Sequence, residues 1–305
     1  MTHDKPLLGI LLMLGFCIVA PFGDAVAKIL GQSIPLGELL LVRFAVQAII
    51  LIPLVWFSKR AWKMQGRVLK FTFIRTLMHI VGIGMMVTAL QYLPLADAVA
   101  IAFVMPFIML VLGKYVLGEE VGSRRLAACV VGFIGTLLVI QPSFSQVGLP
   151  ALLPLGVAVN FSFFMLITRQ IAKETDPISL QAVSGVMAVF IMVPILALTS
   201  SMEIDALSLI MPNSFEFSLL LSIGLLGTLA HLLMTWSLRF APSATLAPMQ
   251  YLEIPIATVI GLFVFKEFPN GLASLGIAIT VAAGVYIILR ERAMSRELEG
   301  TPEPA

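Results

Sequence analysis

The sequence predicts an all-α membrane protein in which ten transmembrane helices form two inverted five-helix repeats and both termini lie in the cytoplasm. Three observations lead to this prediction. The 305-residue chain is 59% hydrophobic and only 12% charged, whereas about a quarter of the residues in a soluble domain are charged. Ten long apolar stretches alternate with short loops, and the two halves of the chain share a residue pattern. The composition argues against a soluble enzyme, a nucleic-acid binder and a receptor with a globular sensor.

Each apolar stretch is long enough for a helix to cross about 30 Å of hydrocarbon, which takes about 20 residues. The predicted spans are 6–30, 36–57, 71–91, 95–117, 124–141, 148–171, 178–199, 216–238, 242–265 and 271–290. Pro35, Pro94, Pro142, Pro177 and Pro242 lie near the ends of the spans, where prolines suit helix termini. A cleavable signal peptide is an alternative for the first stretch, but its removal would spoil the repeat described below.

The distribution of Lys and Arg predicts the orientation, because short cytoplasmic loops of membrane proteins are enriched in these residues. With the N-terminus in the cytoplasm, fifteen basic residues fall on the inner side: Lys5, Lys59, Arg60, Lys63, Arg67, Lys70, Lys114, Arg124, Arg125, Arg169, Lys173, Arg239, Arg290, Arg292 and Arg296. Only Lys28 and Lys266 fall on the outer side. This bias alternates correctly only if the number of spans is even, so both termini are predicted to be cytoplasmic.

Comparison of the chain with itself reveals an internal repeat. An offset of 148 places Leu90, Tyr92, Pro94, Ala96, Phe103, Gly113 and Glu119 over Leu238, Phe240, Pro242, Ala244, Tyr251, Gly261 and Glu267. An offset of 141 places Leu14, Gly15, Phe22 and Lys28 over Leu155, Gly156, Phe163 and Arg169, and Pro35 matches Pro177 at 142. Because each unit holds five spans, an odd number, the second crosses the membrane in the opposite sense. We expect repeats at 1–146 and 147–292 and a cytoplasmic tail at 293–305. Inverted repeats are typical of secondary transporters.

At these residues the chain resembles the EamA family of the drug/metabolite transporter superfamily over nearly its whole length. The resemblance rests on the ten-span duplication and on two signatures. One runs from Ala89-Leu90-Gln91-Tyr92-Leu93-Pro94 through Pro106 to Gly118-Glu119-Glu120, and its echo runs from Leu238 and Pro242 through Pro255 to Phe265-Lys266-Glu267. The resemblance implies a secondary active transporter in the cell inner (cytoplasmic) membrane, which moves a small metabolite without ATP.

A narrower resemblance concerns the first hairpin. There the series Asp24, Lys28, Pro35, Glu38 and Arg43 is similar to a subgroup that includes riboflavin and S-adenosylmethionine carriers. It implies riboflavin uptake as the first expectation. Amino acids, S-adenosylmethionine and drug-type metabolites, taken up or exported, remain alternatives, and proton coupling is left open. An intramembrane enzyme or a non-transporting assembly subunit is the alternative from a different class.

Glu253 is the sharpest candidate for a transport residue, because a charge inside hydrocarbon costs roughly 2.5–3.5 kcal/mol on insertion scales and needs a reason. It lies about halfway along the ninth span, between Pro248 and Pro255. It is expected to couple protons or to anchor the substrate, the alternative being a carboxyl hydrogen-bonded between helices. Gln250, one turn earlier, and Tyr251 beside it predict a polar and aromatic lining around it.

Arg43 is the second candidate, about seven residues inside the outer end of the second span. Since a guanidinium does not readily lose its proton, it must meet a carboxylate, carbonyl groups or an anionic substrate. We expect it to contact the substrate or Glu253. Structural pairing with Asp24 or Glu38 is the alternative, and Gln47 lies one turn deeper on the same face.

The remaining candidates each have two interpretations. Asp24 is four residues before Lys28, a spacing that favours a local ion pair over a binding role. His79 and His231, in the third and eighth spans, could carry protons or form interhelical hydrogen bonds. Asn160, among phenylalanines of the sixth span, could bind a substrate or join helices.

No catalytic, cofactor or metal site is expected. Cys17 and Cys129 have no second Cys or His at metal-ligand spacing, and the sequence lacks a phosphate-binding glycine loop, a Ser nucleophile elbow and an HExxH helix. The expected partners are a small-molecule substrate and membrane lipid, with a homodimer left open and no nucleic acid. Spans 1–4 and 6–9 are expected to line a central cavity, and spans 5 and 10 to pack at the periphery.

Overall fold

A computed structural model describes residues 5–119, 121–199, 201–202, 204–267 and 270–299. Glu120 of the first signature and residues 300–305 of the predicted tail lie outside these ranges. Within them, all regular secondary structure is helical. The first half contains α1 (Pro6–Leu30), α2 (Leu36–Phe57), α3 (Gly66–Leu90), α4 (Leu95–Ala102), α5 (Met105–Val116) and α6 (Ser123–Val147). The second half contains α7 (Leu153–Ile171), α8 (Pro177–Thr199), α9 (Ser214–Phe240), α10 (Ser243–Leu246), α11 (Glu253–Ile260) and α12 (Gly271–Glu299).

Eight helical segments in the described ranges are long and apolar enough to cross a membrane. They correspond to the first four predicted spans and to spans 6–9. The helices α6 and α12 contain shorter apolar stretches, Leu126–Leu138 and Gly271–Tyr286. The chain is therefore a multi-pass, all-α membrane protein, and the fifth and tenth crossings stay predictions.

The fourth and ninth spans are interrupted rather than continuous. A short turn at Phe103 and Val104 separates α4 from α5, and Pro106 occupies the first turn of α5. The ninth span is α10, a 3₁₀ segment (Ala247–Leu252), α11 and a π turn (Gly261–Phe265). Proline removes a backbone donor and so loosens a helix, which explains breaks where prolines recur. At both breaks, near the middle of the molecule, part of the backbone is not held in a regular α-helix.

In the described part of the chain, three ends of helical segments differ from the prediction by five residues or more, and one of them is the start of α3, which lies at Gly66 rather than at 71. The sequence placed the end of the fifth span at 141, before Pro142, but α6 continues to Val147. The last span was expected to end at 290, with a tail from 293, but α12 continues to Glu299. In all three cases the helix extends beyond the apolar stretch, because helical hydrogen bonding does not stop where hydropathy falls.

The contacts between helices repeat when the two halves are exchanged. The pair α1 and α9 has its counterpart in α7 and α3, and the pair α2 and α9 in α8 and α3. The pair α5 and α7 likewise corresponds to α11 and α1, while α2 packs on α8 and α6 packs on α12. These pairings are those of two similar halves related by a pseudo-two-fold axis.

Individual contacts follow the sequence offsets. A Cβ atom on Gly15 would lie 3.3 Å from Leu233, and one on Gly156 would lie 3.0 Å from Met85. Gly15 and Gly156 are 141 residues apart, and Met85 and Leu233 are 148 apart, as the repeat requires. Following the predicted orientation, we call the end of the bundle that holds the start of α4 the outer end, and the end that holds the start of α10 the inner end.

Candidate functional site

A cavity of about 900 Å³, open solvent included, lies between the two halves. Its polar and aromatic lining consists of Phe16, Asp24, Arg43, His79, Phe103, Phe161, His231 and Glu253. Among the described residues, none from α6, α8 or α12 lines it. The seventh span, α8, was expected at the cavity, but it packs behind α2 and α3.

Three charged side chains, Arg43, Asp24 and Glu253, line the cavity. Arg43 and Glu253 are each 8% exposed, and Asp24 is half-buried. Within the described residues, none of the three forms a hydrogen bond or an ion pair within 4.0 Å. Charges this deep in an apolar protein are usually paired, or mark a substrate or ion pathway. The cavity thus presents two carboxylates and one guanidinium to a ligand.

The pairings considered from the sequence for these groups are not formed. Arg43 makes no ion pair with Glu253, Asp24 or Glu38. The Glu38 carboxylate instead accepts a hydrogen bond from the backbone N–H of Ile210 at 2.9 Å. Lys28 does not pair with Asp24, because its ammonium contacts the carboxylate of Glu267. Asp24 is consequently left to the cavity.

A glycine determines where the Arg43 guanidinium lies. A Cβ atom on Gly227 of α9 would lie 2.8 Å from both Cζ and the NH2 nitrogen of Arg43. Such a distance is shorter than any ordinary contact, so a Cβ atom here would make the guanidinium, the flexible end of its side chain, move. Helix α9 therefore supports the guanidinium from behind while its charged face points into the cavity.

Two histidines from opposite halves meet at the bottom of the cavity. The Nε2 atoms of His79 and His231 are 2.9 Å apart, so one ring donates and the other accepts. Both Nδ1 atoms are buried and have no hydrogen-bond partner. The His79 ring packs against Phe44 and Phe164, with centroid distances of 5.0 and 4.9 Å. This aromatic cluster separates the cavity from the inner half of the bundle.

Four predicted site residues lie away from the cavity lining. Gln47 donates to the carbonyl of Gln181 at 2.7 Å, and Asn160 donates to that of Met78 at 2.7 Å. Gln250 is fully buried, with its Nε2 atom 3.1 Å from the sulfur of Met165 and its Oε1 atom without a partner. The hydroxyl of Tyr251 donates to the carbonyl of Cys129 at 3.2 Å. In this conformation all four join helices to one another.

A carboxylate caps the start of each interrupted span and comes from the other half of the chain. The Glu267 carboxylate accepts from the N–H of Leu95, the first residue of α4, at 2.9 Å and also contacts the Lys28 ammonium. We call this group, Lys28, Glu267 and Leu95, the outer cap. Lys28 also donates to the carbonyl of Leu93 at 2.9 Å.

The equivalent group lies at the inner end. The Glu119 carboxylate accepts from the N–H groups of Ser243 and Ala244 at 3.1 and 2.9 Å. Arg169 lies 3.4 Å from it and donates to the carbonyl of Leu238 at 2.5 Å. We call this group, Arg169, Glu119, Ser243 and Ala244, the inner cap.

The two caps share one local backbone geometry. The residue before each glutamate has a positive φ, 65° at Gly118 and 61° at Lys266. The glutamate N–H groups donate to Gly113 and Gly261, at 2.9 and 3.1 Å. The repeat pattern had matched these positions, but it carried no signal that the carboxylates join the two halves.

The comparisons with known proteins agree with this architecture. The model of the EamA-like transporter family matches residues 7–141 and 148–290. The S-adenosylmethionine uptake transporter of Rickettsia prowazekii (strain Madrid E) is 25% identical over 276 residues, covering 90% of each chain. The riboflavin transporter of Vibrio cholerae serotype O1 is 23% identical over 295 residues, covering 95% of this chain and 96% of the other.

One solved structure, described as a crystal structure of protein, superimposes with a TM-score of 0.69 at 17% identity and covers 95% of this chain and 98% of the other. That likeness concerns the fold. The two family matches together span nearly the whole chain, one in each half. This protein therefore belongs to the EamA-like transporter family and is a multi-pass membrane transporter.

Proposed function

We propose that this transporter is a secondary carrier that takes up a small zwitterion of net positive charge, of the S-adenosylmethionine class, across the cytoplasmic membrane. Its two repeats, 1–146 and 147–292, would rock against each other, so that the space between them opens alternately to either side. The N- and C-termini would lie in the cytoplasm, as the basic loops favour. The carrier would need no cofactor and catalyse no reaction.

The charge content of the cavity is the main support for this substrate class. S-adenosylmethionine carries a sulfonium, an ammonium and a carboxylate. Glu253, Asp24 and Arg43 offer two negative charges and one positive charge, none of them paired within the described part of the chain. Complementary charges favour the right ligand and penalise wrong ones. A neutral ligand would leave all three groups desolvated and unpaired.

Aromatic rings supply the remaining contacts. Phe16 and Phe161 lie at the cavity with their centroids 6.4 Å apart and their planes 16° apart. A planar purine can stack on such rings, and a sulfonium is attracted to ring faces as other cations are. Relatives named as S-adenosylmethionine uptake transporters cover 90% of this chain.

The repeated architecture supports alternating access. Two similar halves can adopt outward-open and inward-open packings of nearly equal energy when they exchange roles. Both caps are formed in this conformation, and each joins one half to the other at one end of the bundle, so we infer that one of them opens in each of the two states. Breaking one cap while keeping the other would open the cavity to one side only.

Riboflavin, the first expectation from the sequence, is the second candidate. The stacked rings would suit its flat ring system, and a relative named as a riboflavin transporter covers 95% of this chain. Riboflavin has no charge to match Asp24, Arg43 and Glu253, so we place it second. The same assay separates the two candidates.

Counterflow in proteoliposomes tests the proposal. Vesicles loaded with unlabelled S-adenosylmethionine are expected to accumulate the labelled compound with saturable kinetics. A tenfold excess of riboflavin should inhibit this accumulation less strongly than a tenfold excess of unlabelled S-adenosylmethionine does. Saturable riboflavin counterflow without S-adenosylmethionine counterflow would reverse the order of the candidates. Conversion of the probe to a product without flux would instead indicate an intramembrane enzyme.

Substitution of Gly227 by Ala is expected to weaken substrate binding by roughly tenfold, because a displaced guanidinium would weaken its hydrogen bond to the substrate carboxylate, and such charged hydrogen bonds contribute about 1.5–3 kcal/mol. The added methyl group would displace the Arg43 guanidinium, which lies 2.8 Å from the new Cβ position. Gly84→Ala is the matched control, since its Cβ would make an ordinary 3.8 Å contact with Leu40. Equal affinity of the Gly227 variant and wild type in a binding assay would contradict the assigned position of Arg43.

A further inference from the structure

Arg75 of α3 is a fully buried cation that the cavity does not explain. Its Nε and NH1 atoms donate to the hydroxyls of Thr168 and Ser184, each at 2.8 Å. Its Cζ atom lies 4.5 Å from the centre of the Phe164 ring, and its NH2 atom has no hydrogen-bond partner. Among the described residues no carboxylate lies within ion-pair distance. A buried charge without a counter-charge is costly and needs a reason.

The position of Arg75 places it on the far side of the histidine pair from the cavity. It is four residues before His79 on α3, or about 6 Å along the helix. His79 lines the cavity and Arg75 does not. Arg43 and Arg75 therefore lie in the outer and inner halves of the bundle, with His79 and His231 between them.

The repeat offsets show which residues of the second half correspond to the cavity residues. Cavity residues nearest the pseudo-two-fold axis map onto other cavity residues: Met78 onto Leu226, His79 onto Gly227 and Gly82 onto Ala230. The cavity residues Asp24, Ala27, Val87, Ala102 and Phe103 map onto Met165, Thr168, Thr235, Gln250 and Tyr251. These five counterparts are at most 1% exposed. The inner half thus contains tightly packed counterparts of these five cavity positions.

The buried counterparts include polar side chains that are not needed to fill space between helices. Thr168 and Thr235 are fully buried, and Gln250 has a buried Oε1 atom without a partner. The α8 position that matches Arg43 at the offset of 142 is Gly185, and Arg75 contacts its neighbour Ser184. The guanidinium of the outer half, carried by α2, therefore has an inner equivalent carried by α3.

We propose that Arg75, with Thr168, Thr235 and Gln250, forms the substrate site of the inward-facing state, and that Arg75 binds the substrate carboxylate that Arg43 binds in the outward-facing state. This inference rests on the proposed function, since it requires a zwitterionic substrate and alternating access. Gln250 and Tyr251, predicted at the site from the sequence, would then contact the inward-open cavity.

A substrate lacking the carboxylate tests the role of Arg75. The probes are S-adenosylmethionine and its decarboxylated analogue, and the measurement is the maximal rate and KM of counterflow. Arg75→Gln is expected to lower the maximal rate with S-adenosylmethionine about tenfold and to change the rate with the analogue less than twofold. The KM for uptake from the outer side should stay within twofold of the wild-type value.

Two controls isolate this effect. Lys70→Gln removes an exposed charge from the same helix and should change neither probe's rate. Arg75→Lys should recover part of the rate with S-adenosylmethionine if charge is what matters. A loss of equal size with both probes would show that Arg75 has only a structural role and would overturn the proposal.

Thiol labelling tests the inward-facing site without any substrate. Thr168→Cys is expected to react with a membrane-impermeant maleimide in inside-out vesicles and not in right-side-out vesicles. Ala27→Cys, its repeat counterpart, should show the opposite pattern, and the parent chain, with Cys17 and Cys129 buried, should remain unlabelled. Absence of Thr168→Cys labelling from both faces would overturn the inward-facing site. Absence of flux with both probes would overturn the proposed substrate class instead, so the two failures are distinguishable.

Discussion

Glu253→Gln is expected to lower the rate of S-adenosylmethionine counterflow roughly 30-fold or more. Loss of one partner from a desolvated pair of charges typically costs about 2–5 kcal/mol, and each 1.4 kcal/mol is a factor of ten. Glutamine keeps the shape and a carbonyl acceptor but removes the negative charge. The variant should therefore bind a neutral thioether analogue, which lacks the sulfonium charge, with nearly unchanged affinity. Competition binding with purified protein measures both affinities.

Glu38→Gln is the matched control for this experiment. Glu38 is buried to a similar degree, 6% exposed against 8% for Glu253, but it holds the N–H of Ile210 rather than facing the cavity. Its amide variant can still accept that hydrogen bond, so transport should fall less than twofold. If Glu253→Gln weakens the binding of the sulfonium probe and of the neutral probe to the same extent, this carboxylate supports the fold and does not bind the substrate.

The two candidates on which this proposal most depends could be found from the sequence, because both are charged residues inside apolar stretches. Arg43 and Glu253 have no local partner in the sequence, and each lies at the cavity. Periodicity places Gln47 on one face with Arg43, and it places Asn160 among phenylalanines. It does not show whether such a face meets a cavity or a neighbouring helix. Their hydrogen bonds to Gln181 and Met78 depend on residues more than 80 positions away.

Long-range partners also explain why Asp24 was misjudged as one half of a local pair. Lys28 is one turn from Asp24, which favours pairing in an isolated helix. In the folded chain Lys28 instead meets Glu267, 239 residues away in sequence, and the carbonyl of Leu93. When a charged side chain can reach several partners, the tertiary structure determines which one it contacts. The internal repeat indicates these long-range partners better than local spacing does, since it matches Lys28 with Arg169 and Glu267 with Glu119.

Under the proposed alternating access, the residues of the outer cap and those of the inner cap should shift the equilibrium between the two states in opposite directions. The outer cap joins α4 of the first half to Glu267 of the second half, and the inner cap joins α10 of the second half to Glu119 of the first. Loss of either cap removes a contact between the two halves at one end of the bundle. Under the proposed alternating access, a weaker outer cap favours the outward-open state, and a weaker inner cap favours the inward-open state.

Glu267→Gln and Glu119→Gln are therefore expected to shift accessibility in opposite directions. A hydrogen bond to a charged group contributes about 1.5–3 kcal/mol, so each shift should be on the order of tenfold to a hundredfold. Labelling of Ala27→Cys from outside should rise with Glu267→Gln, and labelling of Thr168→Cys from inside should rise with Glu119→Gln. Each single variant should lose transport by a similar factor, because one state becomes too stable to leave.

The double variant Glu119→Gln/Glu267→Gln provides the sharpest check, because two opposite biases of similar size cancel. It should regain accessibility close to that of the wild type at both reporter positions and transport faster than either single variant. Its thermal stability should nevertheless be the lowest of the four proteins, since both ion pairs are lost. If the caps were only fold-stabilising contacts, the double variant would combine the two transport defects, and both single variants would shift the two reporters in the same direction.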